Sequence, residues 1–356
     1  MTLAMLDVAE TGGTSAAPVG RDAILYVRQP DGAVICQLCA HRCVIRPSRR
    51  GICWVRENQN GKLVTLVADR VVSVSIDPIE KKPFFHFLPG SLAYSLSTVG
   101  CNFRCPFCQN WEIAQWPREH TGPVPGTPTT PRKIVGAARA TGCAAIAYTY
   151  TEPTIFFELA LETSRLAAAA GLKNVFVTNG YMTSEALDLI APVLHAANID
   201  LKSFTDRYYR RVCGATLAPV LDMIRRLHER GVWVEITTLV VPGRNDSDTE
   251  LRALASWLAA LDRDIPWHVS AFYPAYKMMD VPPTPMPTLL RAARIGQEAG
   301  LRFIYIGNVS GGAWKDTICP VCGGRLARRR GFTVLDCCIE DDRCSACRTR
   351  VPGVWR

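Results

Sequence analysis

From residue 92 onward the chain alternates two patterns. Short, β-branched apolar runs recur at 92–98, 144–150, 174–178, 199–202, 232–241, 267–271 and 302–306. Between them lie segments with an apolar stripe at helical spacing, at 131–141, 153–170, 184–196, 219–230, 247–261 and 288–299. Runs that are apolar on both faces suit buried strands of a parallel sheet, and the striped segments suit helices that cover it. The boundaries agree: Pro131 opens a helix, Ser247 sits at a cap position, and Gly142, Gly171, Gly231 and Gly300 follow last helical turns. About six strand–helix units in succession predict an α/β fold, with the parallel sheet curled into a partial (β/α)6 TIM-like barrel. A flat doubly wound sheet is the alternative.

Outside this repeat the pattern is weaker. Gly, Ser, Ala, Pro and Thr fill 11–20, so residues 1–20 read as a disordered tail. Residues 22–28 form a short strand or helix. Asn60-Gly61 is a hairpin turn signal, and 63–68 and 71–76 read as strands flanking a further turn. The expected organisation is therefore a tail at 1–20, a Cys-rich metal-binding segment with a hairpin at 21–90, the barrel at 91–312, and a ribbon at 313–356.

A chain of 356 residues, 48% hydrophobic, suits one large domain with small additions. Its net charge of +9 favours anionic partners only weakly. No apolar run approaches the ~20 residues of a membrane span, and the start lacks the basic and apolar pattern of a signal peptide. Thirteen of the 15 cysteines come in tight groups rather than a disulfide framework, with Cys143 and Cys213 alone, which implies a reducing cytoplasm and thiolates that bind metal.

One group stands directly after the first strand of the repeat. Cys101, Cys105 and Cys108 follow a Cys-x3-Cys-x2-Cys spacing with no fourth Cys or His close by. Three thiolates at this spacing can hold three corners of a cubic iron–sulfur cluster. The fourth iron then stays open, whereas an electron-carrying cluster has four protein ligands. Chemistry in a barrel sits at the C-terminal strand ends. There the later strands offer Thr151 and Glu152, Asn179, Asp200 and Lys202, Asn245, His268 and Asn308. Each has a plain structural alternative: a helix-start carboxylate, a turn, an ion pair or a core histidine. Their recurrence at the same end of successive strands favours a common site.

These residues carry a resemblance. Cys101-x3-Cys105-x2-Cys108, with Phe107 before the last thiol, resembles the signature of the radical S-adenosylmethionine (radical SAM) superfamily. Within it the chain resembles the pyruvate formate-lyase activating-enzyme branch, and more closely the radical SAM enzyme of the AmmeMemoRadiSam system. That likeness rests on 77–83, 100–111, 148–154, 177–181, 200–202 and 267–270. The resemblance implies a [4Fe–4S] cluster on Cys101, Cys105 and Cys108, and S-adenosylmethionine bound near Phe107, Thr151, Glu152, Asn179, Asp200, Lys202 and His268. It further implies hydrogen abstraction from a protein or peptide substrate and a one-electron donor such as flavodoxin or ferredoxin. The glycine pair usual in the family's second-strand motif is replaced here by Thr149, Tyr150 and Thr151.

Two further cysteine groups flank the repeat. Cys36, Cys39, Cys43 and Cys53 would staple a short polar segment, with zinc the plainer reading, an auxiliary iron–sulfur cluster the alternative, and His41 a possible substitute ligand. Cys319, Cys322, Cys344 and Cys347 form two Cys-x2-Cys knuckles, the spacing of a zinc ribbon. Arg325, Arg328, Arg329 and Arg330 lie on that ribbon without an aromatic stacking pattern, which disfavours nucleic acid as a partner. A metal-stapled binding module and an electron carrier are the competing functions. The first leaves the strand-end residues unexplained, and the second requires a fully ligated cluster.

Overall fold

The computed structural model describes residues 20–310 and 313–356. The tail expected at 1–20 lies outside the described residues, apart from Gly20. Its centre is an eight-stranded sheet: β1 (Ser73–Pro78), β2 (Leu92–Ser97), β3 (Ala145–Tyr148), β4 (Lys173–Thr178), β5 (Ala196–Asp200), β6 (Trp233–Val240), β7 (Trp267–Ala271) and β8 (Ile304–Gly307). The strands lie in sequence order from one edge to the other, β2 to β8 parallel and β1 antiparallel to β2. Among the described residues no backbone pairing joins β1 to β8, so the ladder is open.

Helices α1 (Pro131–Ala140), α2 (Phe157–Ala169), α3 (Ser184–Ile190), α4 (Leu217–Glu229), α5 (Asp248–Leu261) and α6 (Met286–Glu298) connect the parallel strands. Local chemistry fixes their ends. Thr130 accepts from Lys133 N, Thr183 from Ala186 N, and Ser247 from Glu250 N, each satisfying an orphan donor of a first turn. Gly171 and Gly231 sit at φ 80° and 73° just past α2 and α4, a conformation that favours glycine at a helix stop. The helix expected over 184–196 ends early at Ile190, because Pro192 turns the chain into a 3-10 segment before β5. Between β5 and α4 the chain adds a helical stretch at 206–213 that the pattern did not indicate. The largest apolar cluster packs sheet against helices, with Ile146, Phe176, Ile199, Ile236, Trp267 and Leu258 fully buried, and a smaller one gathers Phe84, Phe87, Ala93, Ala145, Val175 and Ala196. No described helix is long and apolar enough to cross a membrane.

The two runs read as strands at 63–68 and 71–76 separate. Lys62–Thr65 pairs with Arg56–Gln59 across the expected Asn60-Gly61 turn, both turn residues having positive φ. Ser73–Pro78 instead joins the main sheet as β1. The N-terminal segment is anchored to α2 by a buried ion pair, Arg56 Nη1 to Glu158 Oε1 at 3.0 Å. The last forty residues form a small β-ribbon, Arg325–Arg330 against Thr333–Cys337, docked on β8 and on the 84–87 segment.

Candidate active site

Gly100 ends the strand region of β2 at φ 98°, and a Cβ there would meet Val55 Cγ1 at 2.8 Å. The chain can therefore turn tightly into the 101–108 loop only with glycine at this point. Arg118 then clamps the loop: its Nη2 donates to the Cys101 carbonyl at 2.9 Å and its Nη1 to the Phe103 carbonyl at 2.9 Å. Arg104 N donates to the Cys213 carbonyl at 2.9 Å. Burial pushes the Cys101 thiol well up and the Cys108 thiol up to about 12. The Cys105 thiol is lowered, chiefly by its hydrogen bond with Cys213.

The loop forms one wall of a cavity of about 530 Å³, within the range of small-molecule sites. Every parallel strand contributes to it, most at or just beyond the C-terminal end, with Thr237 and His268 reaching it from within their strands. Cys101, Cys105, Phe107 and Cys108 follow β2, Tyr150, Thr151 and Glu152 follow β3, and Asn179 follows β4. Asp200 and Lys202 come from β5, Thr237 from β6, His268 and Ser270 from β7, and Gly307 and Asn308 from β8. All ten residues expected at the cluster and the cofactor meet at this one cavity. Asn245 does not line it; its side chain instead bonds backbone atoms of Lys202, Leu239 and Val241.

Each strand-end group is held by specific partners. Glu152 is buried, and its carboxylate accepts from Thr154 N, Thr154 Oγ1 and Thr178 Oγ1 on one oxygen and from Asn179 N at 2.8 Å on the other. Burial raises the pKa of this carboxyl above the ordinary range. Asn179 Nδ2 donates to Asn102 Oδ1 at 2.7 Å, which ties the end of β4 to the thiol loop. Lys202 Nζ pairs with Asp200 Oδ2 at 2.8 Å and lies 6.0 Å from the Phe107 ring centroid. His268 Nε2 is 2.6 Å from Glu235 Oε2, so it is at once a satisfied buried histidine and a cavity wall.

Sequence reasoning overlooked several of the lining groups. Lys82 is buried beside Asp77 at 2.6 Å and lies 4.3 Å from the Tyr150 ring centroid. Burial lowers the Lys82 ammonium to about 8, against the pull of Asp77. Tyr150 donates to Asp77 Oδ2 at 2.5 Å and takes a left-handed backbone conformation at φ 63°. The run of charge at 77–82 between apolar strands was a usable signal for this corner. Glu235 was another: a carboxylate inside the apolar run 232–241 must be buried and partnered. It accepts from Phe85 N, His86 N at 2.8 Å, Trp233 Nε1 and His268. Lys315 and Phe332 reach the cavity from the C-terminal segment, and no local pattern marks them.

The flanking thiols divide. The Sγ atoms of Cys319, Cys322, Cys344 and Cys347 all lie within 4.8 Å of one another, the sole such set of three or more His, Cys, Asp or Glu among the described residues. Cys36, Cys39, Cys43 and Cys53 line one small enclosed cavity together with His41 and Arg56.

Over 334 residues the chain is 43% identical to the uncharacterized protein MJ0808 of Methanocaldococcus jannaschii, spanning 93% of this chain and 98% of that one. Residues 95–255 match the family model of the radical SAM superfamily. The chain belongs to the radical SAM superfamily. Its members use a [4Fe–4S] cluster and S-adenosylmethionine. A relative of stated activity, the isethionate sulfite-lyase activating enzyme of Oleidesulfovibrio alaskensis, is 25% identical over 122 residues, 33% of this chain and 40% of that one. Among solved structures, a radical SAM methyltransferase from Sphaerobacter thermophilus superposes with a TM-score of 0.49 at 17% identity, covering 67% of this chain and 71% of that one. The radical SAM match begins in β2 and ends in α5, so it takes in the thiol loop and the strand ends of β3 to β6.

Proposed function

We propose that this chain is a radical SAM enzyme that abstracts hydrogen from a protein or peptide substrate, with glycyl-radical activation the specific version. The observation that carries the reading is the single cavity shared by the three-thiol loop and the ends of all seven parallel strands. A partial barrel, curled but open, accounts for one cavity touching every strand end. The donor set fits an open cluster. Cys101, Cys105 and Cys108 supply three soft ligands, and their sulfurs do not crowd around one point as a single-ion site requires. When bound, the cluster and S-adenosylmethionine supply a 5′-deoxyadenosyl radical on one-electron reduction.

The chain's own residues bind and orient. Cys101, Cys105 and Cys108 would ligate three irons, with Arg118 holding the loop carbonyls so that the thiols converge. Phe107 and the Lys202–Asp200 pair would face the nucleoside, and Asn179 and His268 the remaining polar edges. Glu152 has its oxygens engaged by Thr154, Thr178 and Asn179, so it acts as a positioning residue that fixes the Thr151–Glu152 turn against the methionine end. Tyr150, Lys82 and Asp77 would close the same corner against water. The likeness of 77–83 and 148–154 to the AmmeMemoRadiSam system enzyme supports a place in the pyruvate formate-lyase activating-enzyme branch. The relation to an activating enzyme at 25% identity points the same way. A flavodoxin- or ferredoxin-class protein in a reducing cytoplasm would be the electron source.

The C-terminal four-cysteine set we assign to zinc. Its Sγ atoms approach at 3.6 Å for Cys319 and Cys347 and 3.8 Å for Cys322 and Cys344. Tetrahedral zinc with bonds near 2.3 Å requires about 3.8 Å between sulfurs.

The test is anaerobic reconstitution, reduction and assay for 5′-deoxyadenosine. Wild type should form it from S-adenosylmethionine, and Cys105→Ala should lose it by at least about a hundredfold, since a cluster with two ligands does not hold its site. A reconstituted wild type that binds no S-adenosylmethionine would sink the proposal.

A further inference from the structure

We propose that Cys36, Cys39, Cys43 and Cys53 hold a second [4Fe–4S] cluster, fully ligated by protein, rather than zinc. Four thiols in the same region are compatible with either, and the separation of the sulfurs distinguishes them. Zinc draws four thiolates to about 3.8 Å of one another. The C-terminal set meets that demand. No three ligand atoms from Cys36, Cys39, His41, Cys43 and Cys53 come mutually within 4.8 Å, although all five residues line one enclosed cavity. A cubane spreads its four thiolates to its corners, and the Cys101, Cys105 and Cys108 set shares this wider spacing.

The backbone holds that spread in place from several sides. Cys36 N donates to the Cys43 carbonyl at 2.9 Å, closing the chain around Cys39. Arg42 takes φ 42° inside that turn. Cys39 bridges to Met182 of the loop after β4. Gly51 leaves room for the fourth side: a Cβ there would stand 3.1 Å from Ile45 Cδ1 and 3.6 Å from Cys43 Sγ. The fifth wall carries charge. Arg56 is 1% exposed, its Nη atoms are occupied by Glu158 and the Ile24 carbonyl, and its Nε has no partner. A buried N–H without a partner is costly. Arg56 also lines the cavity, and four thiolates with their cluster would give it both an acceptor and a compensating negative charge.

The location is back to back with the proposed active site. His41 Nε2 lies 2.9 Å from the Asn102 carbonyl, and the Cys53 carbonyl stands 3.2 Å from where a Cβ of Gly100 would be. His41 Nε2 is thereby engaged outside the thiol set, and the four cysteines are the ligands assigned to the cluster.

The test uses the full chain with Cys101, Cys105 and Cys108 all changed to Ala, which removes the proposed S-adenosylmethionine site altogether. Its outcome is therefore independent of whether that site works. Expressed with ample iron and reconstituted anaerobically, this variant should hold about four irons, about four sulfides and about one zinc per chain. Dithionite should reduce it to a species with a low-temperature paramagnetic signal. Wild type should hold about eight irons, falling to about four in Cys36→Ala/Cys39→Ala. If that second variant does not fold, the first decides alone. About two zincs with no iron, an empty site, or a two-iron cluster in the first variant would each overturn the proposal.

Discussion

Two regions of this chain each gather four cysteines, one before the sheet and one after it, and their interiors differ. The C-terminal thiols stand on paired tight turns: Gly323 N donates to the Cys319 carbonyl at 3.0 Å and Arg348 N to the Cys344 carbonyl at 2.9 Å. Two such knuckles facing each other bring the sulfurs to single-ion separation. The N-terminal thiols come from a strand, a turn and a loop wrapped around a cavity, and the sulfurs stay apart. Cysteine spacing in the sequence points to thiols gathered as a metal-binding set. Separation between the sulfurs in space reveals which metal suits the site.

The regions also dock differently, and breaking the N-terminal anchor should have the larger effect. Arg56 and Glu158 are 1% and 3% exposed in their side chains. Glu158→Ala leaves the guanidinium buried without its carboxylate, and such losses cost about 3–5 kcal/mol. Denaturant titration should show that drop, with the metal content of the C-terminal set unchanged, because the apolar cluster that docks the ribbon includes no residue of α2. A loss below about 1 kcal/mol would mean that Arg56 finds its compensation from the thiols instead.

This anchor shows where sequence reading stops. The thiol loop, the strand-end residues, the Ser247 cap and the glycine helix stops were legible because they depend on spacing within a few residues. Ser247, Pro131 and Gly231 each act within one turn of where they stand. Glu158 looked like one more polar residue on a helix. Only the packing of a segment a hundred residues earlier makes it buried. Phe332 and Lys315 escaped for the same reason, since their place on the cavity wall depends on how the ribbon docks. The difference in sulfur separation between the two cysteine groups was illegible too, because Cys-x2-Cys occurs in both.

The C-terminal anchor should respond to acid. His86 is fully buried, its Nδ1 donating to the Pro352 carbonyl at 2.7 Å and its Nε2 accepting from Tyr305 Oη at 2.6 Å. Burial lowers this imidazole from 6.5 to about 4. A depressed folded pKa means that the unfolded chain binds the proton first. The stability from neutral His86 is thus complete above pH 6.5 and is lost as pH falls toward about 4. The full loss is on the order of 3 kcal/mol. Melting curves between pH 7 and 4 should show a steeper decline for wild type than for His86→Gln, which has no such proton to bind. Equal slopes would place the acid sensitivity elsewhere.

The smallest effect tests the ribbon assignment most cleanly. Cys337 and Cys338 lie between the two knuckles, are exposed, and stand outside the four-sulfur set. If the ribbon ion is held by Cys319, Cys322, Cys344 and Cys347 alone, Cys337→Ser and Cys338→Ser should each keep about one zinc per chain in that site. Exposed substitutions away from any special feature usually change stability by no more than about 0.5 kcal/mol. Zinc measured by mass spectrometry after gel filtration reads the first quantity, and thermal melting the second. Loss of zinc from either variant would show that the ribbon recruits a thiol from its hairpin. The contrast with the N-terminal site would then no longer rest on sulfur separation, because the close-packed set would not be the binding set.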